Sequence, residues 1–129
     1  MAGETDLATI LSSLRIERRD EPVTVVHRDG PVDLGPGVMA VVLEDEGATV
    51  VVTVEEAEGR GWPTGFRAAW LTVAVHSSLE AVGLTAALAD VLASRGIPCN
   101  VLAGWFHDHL LVPLDRADEA VRSLESLAG

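Results

Sequence analysis

Between Phe66 and Leu127 the spacing of apolar residues switches from strand-like to helix-like, back to strand-like, and then to helix-like again. Few architectures accept that order. Phe66 to Val75 alternates, with Leu71, Val73 and Val75 on one side, and predicts a long strand. Leu84, Ala87, Leu88, Val91 and Leu92 form a helical stripe that Gly96 closes. Ile97 to Ala103 and Leu110 to Val112 read as two further strands joined by Gly104 to His109. Asp115 is placed to cap a last helix whose buried face is Ala117, Ala120, Val121, Leu124 and Leu127.

The second half is therefore β–α–β–β–α, a split βαβ, ferredoxin-like pattern (βαββαβ) without its last strand. The fold class is α+β: an antiparallel sheet with helices on one face. In the first half, residues 6–15 read as an amphipathic helix through Leu7, Ile10, Leu11 and Leu14, ended by a charged turn from Glu17 to Glu21. Pro22 to Arg28 is β-branched and predicts a strand, and Asp29 to Gly37 a loop. A hairpin follows, Val38 to Leu43 returning through Ala48 to Val54, then one or two helical turns from Glu55 to Gly59. The expected division is 1–65 and 66–129, two interlocked halves. A sheet edge left open must be paired within the chain or across a dimer.

Charge and composition exclude several functions. The chain has 129 residues, 48% hydrophobic and 22% charged, which excludes an intrinsically disordered chain. Its formal net charge is −11, and every base is arginine. Such a surface repels phosphate backbones, so no nucleic-acid partner is expected. The uncharged run between Arg67 and Glu80 is far short of the ~20 residues that span a bilayer, so no membrane partner is expected either. A lone Cys99 and an N-terminus without a basic leader favour a cytoplasmic protein.

The segment His76 to Ala87 (HSSLEAVGLTAA), Asn100 and Val101, and the run WFHDHLLVP at 105–113 resemble small bacterial proteins made of two tandem, partly degenerate ACT domains. The likeness spans almost the whole chain and is strongest over 71–128. It implies ferredoxin-like modules that bind an amino acid or similar effector between two modules, with no catalytic activity and no cofactor. It places the ligand on the loop and helix start formed by His76, Ser77, Ser78, Leu79, Glu80, Val82, Gly83 and Leu84, with Asn100 and Val101 contributed by the second strand. A homodimer is implied as well. Where many effector-binding ACT domains carry an acidic or amide residue and a proline before the loop glycine, this chain has Glu80, Ala81 and Val82.

The residues themselves leave two readings. Gly83 at a strand-to-helix turn lets a ligand approach the backbone, and free amides at the helix start attract a carboxylate. Ser77 and Ser78 can bond a ligand, and Glu80 can hold an ammonium group. Serine and glycine are also ordinary helix-capping residues. A different class of function would use His76, His107 and His109 as a three-histidine metal site with an open position. The plainer alternative puts His107 and Asp108 in a solvated turn and packs His109 at a strand start. Cys99 inside a strand lacks the basic setting of a reactive thiolate, and Ser77 and Ser78 lack a nucleophile elbow. No catalytic constellation is present. Trp105 and Phe106, if exposed at a hairpin tip, would mark a contact surface or a pocket wall.

Overall fold

A computed structural model describes residues 6–75 and 82–129. In chain order the elements are α1 (Leu7–Ser12), β1 (Ile16–Arg18), β2 (Val23–Arg28), β3 (Val38–Glu44), β4 (Gly47–Thr53), α2 (Val54–Gly59), β5 (Ala68–Val73), α3 (Leu84–Ser94), β6 (Asn100–Ala103), β7 (Asp108–Pro113) and α4 (Ala117–Glu125). Short 3₁₀ turns flank α4 at Leu114–Arg116 and Ser126–Ala128. No helix among the described residues is long and apolar enough to cross a membrane.

The chain forms two compact units. One joins the N-terminal segment, as far as Arg19, to Ala69–Gly129; the other is Asp20–Ala68. The division expected at 65/66 places those first nineteen residues with the other half. The backbone supplies the reason for the difference, because Ile16, Glu17 and Arg18 pair antiparallel with Val73, Thr72 and Leu71.

In the first unit the strands run β6-β7-β5-β1. The strand missing from the end of the ferredoxin-like pattern is thus supplied from the N-terminus. The expected helix over 6–15 is correspondingly shorter, and the expected charged turn begins as a strand. Asp6 starts α1 by accepting the Thr9 amide on its side chain. Arg18 then holds Asp118 of α4 at 2.7 Å, and the Ile16 amide donates to Glu125 Oε2.

Ala69, Leu71 and Val73 of β5 and Leu110 and Val112 of β7 form one face of this sheet. Against it pack Ile10 and Leu14 from the N-terminal segment, Leu84, Leu88 and Leu92 of α3, and Ala117, Ala120 and Leu124 of α4. All are buried, each large aliphatic among them contributing about 1.5–3 kcal/mol. The helical stripe expected over 84–92 is the buried face of α3. The last helix differs from expectation at its start: a 3₁₀ turn precedes it, and Asp115 lies inside that turn instead of capping α4.

In the second unit β3, β4 and β2 lie side by side in that order, all antiparallel, with Val23–Arg28 paired residue for residue to Thr53–Ala48. Val50, Val51 and Val52 are buried, as a continuous apolar run requires. Thr53 caps α2 by accepting the Glu56 amide. The Trp62 ring lies under two guanidinium groups, Arg28 at 4.9 Å and Arg60 at 4.8 Å.

Candidate ligand site at the start of the third helix

The strand-to-helix connection of the first unit runs from Val73 to Leu84, and five of the residues expected to touch a ligand, His76, Ser77, Ser78, Leu79 and Glu80, lie outside the described residues. The described ends of the connection are Ala74 and Val75 on one side and Val82 and Gly83 on the other. Val82 is exposed, whereas Leu84 points into the core as the first buried residue of α3. Leu84 is therefore held by packing, and the space it occupies is not open to a ligand.

Gly83 is the N-cap of α3, with φ at +96°, a left-handed conformation that glycine alone adopts without strain. Among the described residues no side chain caps this helix. A β-carbon at position 83 would stand 3.0 Å from Leu7 Cδ2, so the bare backbone there is already approached by α1. The first helix was legible as an amphipathic stripe, but nothing in its sequence announced Gly83 as the neighbour of Leu7.

Asn100 and Val101 open β6, where they face Leu111 and Leu110 of β7. Side chains alternate along a strand, so the two point to opposite faces. Val101 shares the side of Leu110, which faces the helices, and Asn100 shares the side of Leu111 and His109. Both are exposed. Trp105 and Phe106 are exposed at the tip of the β6–β7 hairpin, 58% and 62% respectively, as expected of a contact surface or pocket wall.

The histidines are fixed by this sheet. His109 Nδ1 lies 3.0 Å from Thr72 Oγ1 of β5, in hydrogen-bonding contact, and its ring packs against Trp70 with centroids 4.8 Å apart. Gly104 makes room for it: a β-carbon there would meet His107 O at 2.7 Å and His109 Nε2 at 3.2 Å. His107 is half-buried and donates from Nδ1 to Val75 O at 3.3 Å. It is not in a freely solvated turn, and neither is Asp108, whose carboxyl is raised by burial against a smaller opposing pull from His109. Burial lowers the His109 imidazole, the charge of His107 adds to that, and Asp108 opposes both. All but the last of these favour the neutral ring.

Among the described residues no group of three His, Cys, Asp or Glu side chains comes together to hold a metal ion. His107 and His109 each commit Nδ1 to another partner, and His76 lies outside the described residues. Burial also pushes the Cys99 thiol up, away from the thiolate form.

Two family models of the ACT domain match the chain, one over residues 2–69 and the other over 66–126. It belongs to the ACT-domain family. This tandem ACT-domain protein is 33% identical to a protein of unknown function from Vibrio cholerae, a possible transport protein, with a TM-score of 0.84 over 95% of this chain and 96% of that one. A protein from Agrobacterium tumefaciens is 14% identical with a TM-score of 0.63, each chain covered over 89%. The ligand-free regulatory subunit of aspartate kinase from Thermus thermophilus is 10% identical with a TM-score of 0.65, over 89% of this chain and 96% of that one. The last two likenesses show the fold: α+β, ferredoxin-like, antiparallel. No curated protein matches the chain. ACT domains are regulatory ligand-binding modules rather than catalytic ones.

Proposed function

We propose that this tandem ACT-domain protein is a sensor for a small carboxylate-bearing effector, an amino acid in the first instance, and that it works without catalysis or cofactor. The observation that carries the reading is the family match over 66–126, the segment containing the connection between β5 and α3. The start of α3 at Gly83, which no described side chain caps, supports it, because amides at a helix start favour a carboxylate.

In this reading His76, Ser77, Ser78, Leu79, Glu80, Val82 and Gly83 line the seat, with Asn100 and Val101 as the strand contribution and Leu84 fixing the helix from within the core. Glu80 holds the ammonium group through a charge-assisted bond. The reading includes a homodimer, which the exposed Trp105 and Phe106 support, and a cytoplasmic setting, which a single free cysteine supports. The mechanism is linkage: an effector that binds two conformations unequally shifts their balance by the difference in its affinities.

Thermal unfolding of the purified chain against each of the twenty amino acids is the test. An effector at 100 times its Kd adds about 2.7 kcal/mol to stability, a gain a melting curve registers plainly. One or a few amino acids should raise the melting temperature, and Glu80→Ala should abolish the rise. A flat response to all twenty would remove the amino-acid reading.

A further inference from the structure

The N-terminal segment grips the described ends of the connection between β5 and α3. Before residues 76–81, the Ala74 amide donates to Arg15 O at 2.7 Å, one rung beyond the Ile16–Val73 pair. After them, Leu7 Cδ2 sits 3.0 Å from the place where Gly83 has no β-carbon. The helix start therefore carries a seat for Leu7 on bare backbone.

The two grips are unequal. β1 is tied by its pairing with Val73–Leu71, by the Arg18–Asp118 ion pair and by the Ile16 amide on Glu125. α1 has six residues, of which only Ile10 is fully buried, and its first turn hangs on the Asp6 side chain. A helix that short is not stable by itself in water, so α1 holds its shape only while docked. Elements with few buried contacts open first.

We propose that the N-terminal segment is a two-part strap, with β1 a fixed anchor and α1 a latch that opens together with the first turn of α3. The coupling element is the Leu7–Gly83 contact. This device goes beyond the effector reading and is tested without any effector. Should a carboxylate be seated at the start of α3, open and closed latch would differ at that seat, which is the condition linkage requires.

Native-state hydrogen exchange on the full chain tests it. The Ile10 amide, bonded to Asp6 O at 3.0 Å, reports on α1, and the Ala87 amide, bonded to Gly83 O at 2.9 Å, reports on the first turn of α3. Both should open with matching free energies, below those of Leu71 and Leu110. Leu7→Ala, which empties the seat, and Asp6→Ala, which removes an exposed cap, should each speed both reporters about tenfold and leave Leu71 and Leu110 unchanged. Asp6→Ala touches no core residue, so it keeps the experiment decisive if Leu7→Ala folds poorly. Faster exchange at Ile10 alone would overturn the proposal, as would equal acceleration at all four amides.

Discussion

His109 has one ring nitrogen against Thr72, its face against Trp70 and only partial contact with water, so a proton on it loses hydration without gaining a counter-ion strong enough to replace it. Burial is the largest cause of its lowered pKa, and the charge of His107 acts in the same sense. A group whose folded-state pKa is depressed contributes stability above its unfolded value and loses it as pH falls through the folded value. The window here starts near 6.5 and extends downward. Asp108 works in the opposite sense, since its raised carboxyl favours the fold below the ordinary carboxylate range and loses that contribution as pH rises. His109→Asn isolates the histidine, because asparagine sets an amide atom near the Nδ1 position and cannot titrate. The urea midpoint of the native protein should fall between pH 7.5 and 5.5 by more than that of the variant. The difference should stay under about 1 kcal/mol, since a half-exposed charge is screened. Parallel pH curves for the two proteins would show that His109 titrates as freely in the fold as outside it.

At the scale of elements, β1 decides whether the first unit has a complete sheet. Arg15 O accepts from Ala74 and the Arg19 amide donates to Trp70 O at 3.0 Å, so in this antiparallel ladder the odd-numbered residues bond across to β5. Glu17 therefore bonds to Thr72, while the amide of Ile16 turns outward to Glu125 and that of Arg18 likewise faces away from β5. Proline removes a donor, which matters only where the donor is used. Glu17→Pro should cost more than about 2 kcal/mol in urea denaturation, and Arg18→Pro clearly less even though it also removes the exposed ion pair with Asp118. Equal losses would mean that the ladder at 16–18 is not what holds the segment. The same strand marks where sequence reading ran out. Periodicity located α3, β7 and the 38–53 hairpin because each has a buried face written in Leu, Val and Ile. Ile16, Glu17 and Arg18 carry only one half-buried apolar residue, Ile16, too little for a period, and are otherwise held by backbone bonds and charges whose partners lie up to 109 residues away in sequence. Ile97–Cys99 were expected in a strand, yet β6 begins only at Asn100, because the chain leaves α3 through Gly96 and the Ile97 amide still bonds back to Leu92 O. The candidate site was legible as a glycine before a helix; the neighbour of that glycine was not, since no spacing links Leu7 to Gly83.

For the whole molecule, the consequence is that sequence order and structural units do not coincide. The first unit takes Ile10, Leu14 and β1 from the N-terminus and the rest of its core from beyond Ala69. Removing residues 1–19 takes away two buried aliphatic side chains, worth about 2 kcal/mol each, and the bonds that β1 makes along β5. Native domains hold only about 5–15 kcal/mol in reserve, and the exposed edge of β5 would add a site for aggregation. The second unit contributes none of those residues: its core of Val26, Ala48, Val50, Val52 and Ala57 lies wholly within Asp20–Ala68. A chain beginning at Asp20 should therefore lose exchange protection across α3, β7 and α4 while keeping it along β2 and β4. A synthetic peptide of residues 1–19 added back should restore protection in the first set, because the information it carries is a strand and a helix that need no peptide bond to Asp20 in order to dock. Retained protection at Leu88, Leu110 and Leu124 in the shortened chain would show that this unit closes its core without the N-terminal strand, and the molecule would then be an ordinary pair of consecutive domains.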